Sequence, residues 1–298
     1  MTVPRNLRHP RYWLLWAAIA LLRLLTLLPY AWQMAVGTGL GQLFRRLSKR
    51  RVHIARRNLQ LCFPEMPDNE RETLLQAHFS ALGQGLMEVG IAWWASPQWL
   101  ARHVDTTGLE YVQQAQQAGK PVILLSAHFT PVELSLLVDI PGAGLTFRPH
   151  ENPLLDYVIT QSRQRRGKHT VSRNNIREML RVLKQSGVLW IAPDQSYAGS
   201  NSTFAPFFGV PAATTTLLSL LVKRTGAVVV PFFVQKRESG QYHLWLSSPL
   251  EDFAQADETR ATTMINQAIE SGVKRAPEQY YWVHRRFKHR PSEEENVY

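Results

Sequence analysis

The sequence predicts an α/β domain behind an N-terminal membrane-attached helix. Three observations carry that expectation. Short apolar runs rich in β-branched residues alternate with helix-period patterns, a nearly uncharged apolar stretch occupies residues 12–36, and the excess positive charge lies at the start of the chain. At 298 residues and 45% hydrophobic content there is material for a substantial core, which excludes disordered and fibrous classes. The single cysteine, Cys62, excludes an internal disulfide framework and a cysteine-based zinc cluster.

Eleven of the 34 Lys and Arg residues fall within residues 1–64, and no acid precedes Glu65, so the remainder balances 23 positive against 23 negative charges. A basic section ahead of a neutral body suits a polyanion, either phospholipid headgroups or a nucleic acid backbone. The apolar stretch 12–36 favours the membrane. It would be about 37 Å long as a helix, enough to cross a hydrocarbon layer of about 30 Å. Arg23 and Pro29 fall inside it, however, so a kinked or interfacial placement competes with a full span. Trp13, Trp16, Tyr30 and Trp32 lie toward its ends, where aromatic rings favour the headgroup level. A signal peptide or a buried core helix is the alternative, but no small-x-small cleavage pattern follows Leu22. Residues 45–58 then carry seven positive charges without an acid, as a juxtamembrane basic segment would, the other reading being a solvated helix face. Residues 1–63 are therefore expected to form the membrane anchor and basic juxtamembrane segment, and residues 64–298 one globular domain.

Within that domain, residues 69–92 read as a helix. Buried strands are expected over 121–126, 145–148, 188–192, 227–234 and 242–246. Helices intervene at 175–185, ending at Gly187, and at 216–224, with Lys223 and Arg224 in the last turn before Gly226.

The chemistry concentrates after the first of these strands. PVILLS runs into AHFTPVELSLL and sets His128 just past a strand's carboxyl end, where open α/β sheets expose functional groups. Glu133 follows in the expected first turn of a helix whose N-cap would be Thr130 and whose first residue would be Pro131. Two readings of Glu133 stay open on spacing alone. It closes a capping box with Thr130, or it orients His128 while the ring removes a proton from an alcohol attacking an acyl carbonyl. No metal-ligand spacing and no G-x-S-x-G elbow accompanies the pair, so direct transfer without an acyl-enzyme is favoured. Arg163, Arg165, Arg166, Lys168, Arg173, Arg177 and Arg181 form a basic stretch able to receive phosphates, or simply a solvated helix face. Asp194 ends the run VLWIAP, where a turn-forming role is the plain alternative. Phe204, Phe207 and Phe208 suit either an acyl-chain groove or ordinary packing. The basic aromatic tail 280–290 is compatible with a nucleic-acid patch, which the apolar N-terminal stretch argues against.

Six ordered segments, AHFTPVE, FRPHENPLLD, SRQRRGK, APDQSY, FFGVPAATTT and PEQYYWVHRRFKHRP, resemble the lipid A late acyltransferases. These are bacterial lauroyl- and myristoyltransferases of the lysophospholipid acyltransferase superfamily, and the resemblance covers most of the chain. It implies a central mixed sheet flanked by helices, similar to the glycerolipid acyltransferases. It also implies that His128 is the general base and Glu133 its catalytic partner, and that Arg148, Asn152, Arg165 and Asp194 bind substrate. The chain departs from the pattern at Ser196, where some relatives carry a second acid two residues after the Asp. The implied reaction moves a fatty acyl group from an acyl carrier protein thioester to a hydroxyl of a lipid A precursor. It needs no cofactor and no metal, takes place at the cytoplasmic face of the bacterial inner membrane among its phospholipids, and involves no nucleic acid. An acyltransferase acting on another glycolipid or glycerolipid, or a non-catalytic membrane adaptor, is the alternative.

Overall fold

The computed structural model describes residues 3–138, 140, 143–165, 169–185, 187–291 and 296–298. Two short 3-10 turns, Arg5–Arg8 and Pro10–Tyr12, lead into α1 (Trp13–Leu25), α2 (Tyr30–Leu47), α3 (Lys49–Cys62) and the long α4 (Asp68–Trp94). Next come α5 (Pro97–His103), β1 (Val104–Thr107), α6 (Leu109–Gln117), β2 (Val122–Leu125), the single turn α7 (Val132–Ser135) and β3 (Ala143–Phe147). They are followed by α8 (Pro153–Arg165), β4 (His169–Ser172), α9 (Ile176–Lys184) and β5 (Val188–Ile191). A hairpin of β6 (Ser202–Phe207) and β7 (Val210–Thr215) precedes α10 (Leu217–Thr225), β8 (Val228–Lys236), β9 (Tyr242–Leu246), α11 (Glu258–Arg275) and the tail.

The central sheet is mixed, in the order β1-β9-β8-β2-β5-β3-β4. Strands β8, β2, β5, β3 and β4 are mutually parallel, β9 runs antiparallel to β8, and β1 pairs parallel with β9. Every residue of β2 and β5 is buried, which is why these strands read as unbroken apolar runs. The five expected strands are all present. Strands β1 (VDTT) and β4 (HTVS) escape a hydrophobicity search because they are short, polar and at the two sheet edges. Gly226 ends α10 as expected, with φ 68°, and at the start of α9 the Asn175 Oδ1 accepts from Glu178 N at 3.1 Å as its cap.

The apolar N-terminal stretch is not one helix. Pro29 has no N–H to donate and its ring excludes the preceding turn, so the chain breaks between α1 and α2, and Gln33 Nε2 binds the freed carbonyls of Thr26 and Leu28 at 3.2 and 2.8 Å. The 13 residues of α1 span about 20 Å at ~1.5 Å per residue. Among the described residues no helix is long and apolar enough to cross a membrane, so the full-span option gives way to a broken helix. Arg23 lies with its guanidinium 5.5 Å from the Trp94 ring centre.

Helices α2 and α4 touch backbone to backbone, since a Cβ on Gly41 would stand 1.9 Å from the Phe79 carbonyl oxygen. Buried Glu88 of α4 fastens this layer to the sheet edge. Its Oε1 accepts from the Tyr242 hydroxyl at 3.0 Å and lies 3.6 Å from Lys236 Nζ, while Tyr30 of α2 meets Tyr242 at 3.0 Å. The basic segment is amphipathic as α3: Ala55, Leu59 and Cys62 enter the main core, while Arg50 and Arg56 remain exposed.

Candidate active site

Strands β2 and β5 are paired in register, Leu125 opposite Ile191, and the Ser126 amide donates to the Ile191 carbonyl at 2.8 Å. Each strand then runs three residues further, to His128 and to Asp194. The next strand after β2 lies on the β5 side, and the next sheet strand after β5 lies on the β2 side, so the connections depart in opposite directions. A switch of this kind leaves the carboxyl ends of the two strands uncovered.

At that place Asp194 grips His128 twice. The His128 amide donates to Asp194 Oδ2 at 2.9 Å, and the ring Nδ1 donates to Oδ1 at 2.6 Å. Asp194 is 3% exposed, whereas the His128 side chain is 34% exposed. Burial opposes charge on the imidazole, but the Asp194 carboxylate and its hydrogen bond outweigh that and raise the His128 pKa above 6.5. Burial likewise pushes the Asp194 carboxyl up, and the charge and two hydrogen bonds of His128 overcome it and hold the group at about 2. With its proton on Nδ1, neutral His128 presents the Nε2 lone pair as a base, with the Gln195 amide nitrogen 3.5 Å from it.

The far C-terminal segment builds the opposite wall. Tyr281 N donates to the His128 carbonyl at 3.0 Å, Thr130 N donates to the Gln279 carbonyl at 2.8 Å, and Phe129 pairs with Tyr280, so the histidine loop and the tail form a short antiparallel contact. Asn58 of α3 supports that tail, its Nδ2 donating at 2.7 Å to the carbonyls of both Trp282 and His284. Arg286 is 2% exposed, bonds Ala213, Thr214 and Asn266, and lies 5.2 Å from the Phe207 ring centre. Ser196 N donates to His284 Nε2 at 3.2 Å. Burial, reinforced by the positive charges of His128 and Arg286 against the pull of Asp194, lowers the His284 pKa to about 4 and keeps that ring neutral. Asn58, His128, Asp194, Gln195, Tyr281 and His284 face one crevice.

Only part of the expected constellation converges here. His128 and Asp194 meet, which gives Asp194 the orienting position that had been expected of Glu133. Glu133 turns instead to Arg163 of α8, in an ion pair whose side chains are 17% and 15% exposed. The capping box is also absent, because α7 begins at Val132 with Pro131 before it and the Thr130 amide is held by Gln279. Asn152 Oδ1 accepts from the amides of Leu154 and Leu155 at 2.9 and 3.4 Å and so caps the start of α8. Arg148 is exposed and pairs with Glu151 at 3.1 Å, and Arg165 is exposed at the end of α8. Of the basic stretch, Arg166 and Lys168 lie outside the described residues, Arg163 points inward, and Arg173, Arg177 and Arg181 are exposed. Phe207 is fully buried against Phe287 and Tyr280, and Phe208 packs on Phe63, which assigns both to packing, while Phe204 is 39% exposed. In the tail, Trp282, Phe287 and Arg286 are core rather than a stacking surface.

Sequence reasoning passed over Asn58, Tyr281 and His284 as site residues. The one available signal was the tail motif itself, whose two histidines, arginines and aromatics exceed what a solvated terminus requires. Comparison with known proteins gives the family. Residues 1–289 match the family described as bacterial lipid A biosynthesis acyltransferase. The chain is 39% identical over 290 residues to the lipid A biosynthesis lauroyltransferase of Escherichia coli K12, covering 96% of this chain and 94% of that protein. It is 38% identical over 302 residues to the palmitoleoyltransferase of the same strain, covering 99% and 97%, and 29% identical over 284 residues to its myristoyltransferase, covering 94% and 88%. With a family match over residues 1–289 and relatives covered along almost their whole length, the chain belongs to the bacterial lipid A biosynthesis acyltransferases.

Proposed function

We propose that this acyltransferase moves a fatty acyl group from an acyl carrier protein thioester to a hydroxyl of a lipid A precursor. The hydrogen-bonded His128–Asp194 pair carries the reading, because it leaves an oriented imidazole lone pair at an open crevice. His128 Nε2 takes the hydroxyl proton as the oxygen attacks the thioester carbonyl, the tetrahedral intermediate then expels the thiolate, and the imidazolium returns its proton to sulfur. Asp194 fixes the tautomer and stabilises the imidazolium while staying ionised. The acceptor hydroxyl is itself the nucleophile, so no residue of the chain becomes acylated.

Arg148, Asn152 and Arg165 are proposed to receive the anionic substrates, Asn152 through the α8 start that it caps, and the two arginines as exposed cations on the same loop and helix. Glu133, paired with Arg163, belongs to the proposed site as a second charged element five residues beyond the base. Residues 1–63 are proposed as the attachment segment of a body formed by residues 64–298, held on the cytoplasmic face of the bacterial inner membrane. Trp13, Leu14, Leu21 and Leu24 support this: they project within about 100° of one another on α1 and are 57–85% exposed.

The test is acyl transfer by detergent-purified protein, offered a panel of acyl carrier protein thioesters and tetra- or penta-acylated lipid A precursors, with products read by mass spectrometry. One added acyl chain, lost by about 10²–10⁴-fold in rate in His128→Ala, is the expected result. Undiminished turnover in that variant would refute the role of His128. Transfer to a glycerolipid alone would replace the acceptor class, and transfer to nothing would favour an adaptor.

A further inference from the structure

The proposed reaction places negative charge on the thioester oxygen, and a donor for it must be found among the groups that face the crevice. Most are already committed. Asn58 Nδ2 is held by the carbonyls of Trp282 and His284, both terminal nitrogens of Arg286 are bonded within the core while its Nε is fully buried, out of reach of a substrate, and the Tyr280 hydroxyl is bonded to Asp194. The Gln195 amide lies beside His128 Nε2, where the proton arrives, and Tyr281 is 38% exposed with no described side-chain bond to fix its ring.

His284 differs from all of these. Its Nε2 accepts the Ser196 amide, so the neutral ring carries its proton on Nδ1. Among the described residues nothing bonds that N–H. The ring is nevertheless fixed, by Ser196 on one side and by the backbone on the other, where His284 N donates to Tyr281 O at 3.2 Å and its own carbonyl is held by Asn58. The same tail bonds the His128 carbonyl through Tyr281 N, which couples the two histidines in position. A neutral donor held in place before the charge develops is what stabilises a tetrahedral oxyanion without reorganisation. Its lowered pKa, about 4, also means that it does not compete with His128 for the transferred proton.

We propose that His284 is a catalytic residue whose Nδ1–H binds the carbonyl oxygen of the acyl donor and stabilises the oxyanion formed when the acceptor attacks. The proposal rests on the acyl-transfer reading above. In the step, the carbon–oxygen bond to the acceptor forms as the carbonyl π electrons move onto oxygen, opposite His284, and the proton passes to His128. Collapse restores the carbonyl, breaks the carbon–sulfur bond, and releases the oxygen from His284.

The experiment compares wild type, His284→Gln and His284→Asn as full-length purified proteins in the same transfer assay. Gln can keep an acceptor for the Ser196 amide but has no donor at the Nδ1 position, whereas the Asn side-chain amide reaches that position. Expected are a fall in kcat of about 10²–10³-fold for His284→Gln with KM little changed, partial recovery in His284→Asn, and an unmoved acid limb of the pH profile. A kcat for His284→Gln within about threefold of wild type overturns the proposal, far short of the loss typical of an oxyanion donor. Equal losses in both variants accompanied by a higher KM or a shifted acid limb also overturn it, since His284 then serves binding or the setting of His128. Wild type that transfers to no acceptor overturns the underlying reading and this proposal with it, an outcome distinct from the others.

Discussion

His128 and Asp194 stand at equivalent positions of two neighbouring parallel strands, each three residues past the last paired residue, and their side chains meet at 2.6 Å. The contact is a consequence of register, since a shift of one residue in either strand would send one of the two side chains elsewhere. Asp194→Asn keeps the shape but presents an amide N–H or a neutral oxygen to Nδ1, removing the charge that stabilises the imidazolium. A loss of about 10²–10⁴-fold in kcat is expected, with circular dichroism unchanged. An Asp194→Asn enzyme retaining most of its kcat would remove Asp194 from the mechanism.

The pH dependence of kcat/KM follows from the same pair. His128 must be neutral to act as base, so the rate falls as pH drops through its raised pKa, and the acid limb should lie above 6.5. In Asp194→Asn only burial remains, and the limb should move below 6.5. For stability the signs are opposite for the two groups. The His128 contribution is complete below 6.5 and is lost as pH rises through the folded value. That of Asp194 is complete above 3.8 and is lost as pH falls toward about 2. The pair therefore stabilises most between roughly pH 4 and 6.5, and Asp194→Asn should lower Tm most in that window when melting is followed across pH.

Glu133 and Arg163 form a largely buried ion pair, and removing one member strands the other. Glu133→Gln should cost about 3–5 kcal/mol, while Glu133→Gln combined with Arg163→Met should recover a large part of that. Chemical denaturation of the two singles and the double measures the coupling. Full stability in Glu133→Gln together with lost transfer would instead assign Glu133 to the chemistry itself.

Asn58 is 1% exposed and holds the tail through the Trp282 and His284 carbonyls. In Asn58→Ala the Trp282 carbonyl loses its described donor, at a cost of about 1–3 kcal/mol. Transfer should fall with it, because next to His284 the tail is then held by α3 only through Arg51, which donates to the Val283 carbonyl at 2.9 Å. Equilibrium unfolding and initial rates on the same preparation check both.

Exposed leucines of α1 should act in membrane binding. Burying a Leu side chain is worth about 1.5–3 kcal/mol, so Leu14→Ser and Leu24→Ser should each weaken binding to anionic phospholipid vesicles by about tenfold or more. Sedimentation with vesicles measures the partition, and turnover of a detergent-solubilised substrate should change little.

Much of this architecture follows from local pattern. The unbroken apolar runs of β2 and β5, the cap at Asn175 and the stop at Gly226 can each be read from a few adjacent residues, because burial, capping and left-handed backbone act over one or two turns. His128 is legible for the same reason, as a histidine just beyond a buried strand. Its partner is not. Glu133 is near in sequence but is directed to Arg163 by a helix that starts only at Val132, whereas Asp194 is brought in by strand pairing across more than sixty residues. The basic run 45–58 looked like a surface tether because charge dominates its composition, yet one face of α3 enters the core and carries Asn58 to the site. The break at Pro29 was visible, but that α1 and α2 become separate helices, the second packed on α4 through glycines, depends on which surfaces meet. The sequence by itself determined the five buried strands, the stop at Gly226 and the place of His128 just beyond a strand. Only the tertiary structure decided which acid meets His128 and which tail residues enclose it, since hydrogen bonds between distant segments depend on sheet register and helix packing, which no local pattern encodes.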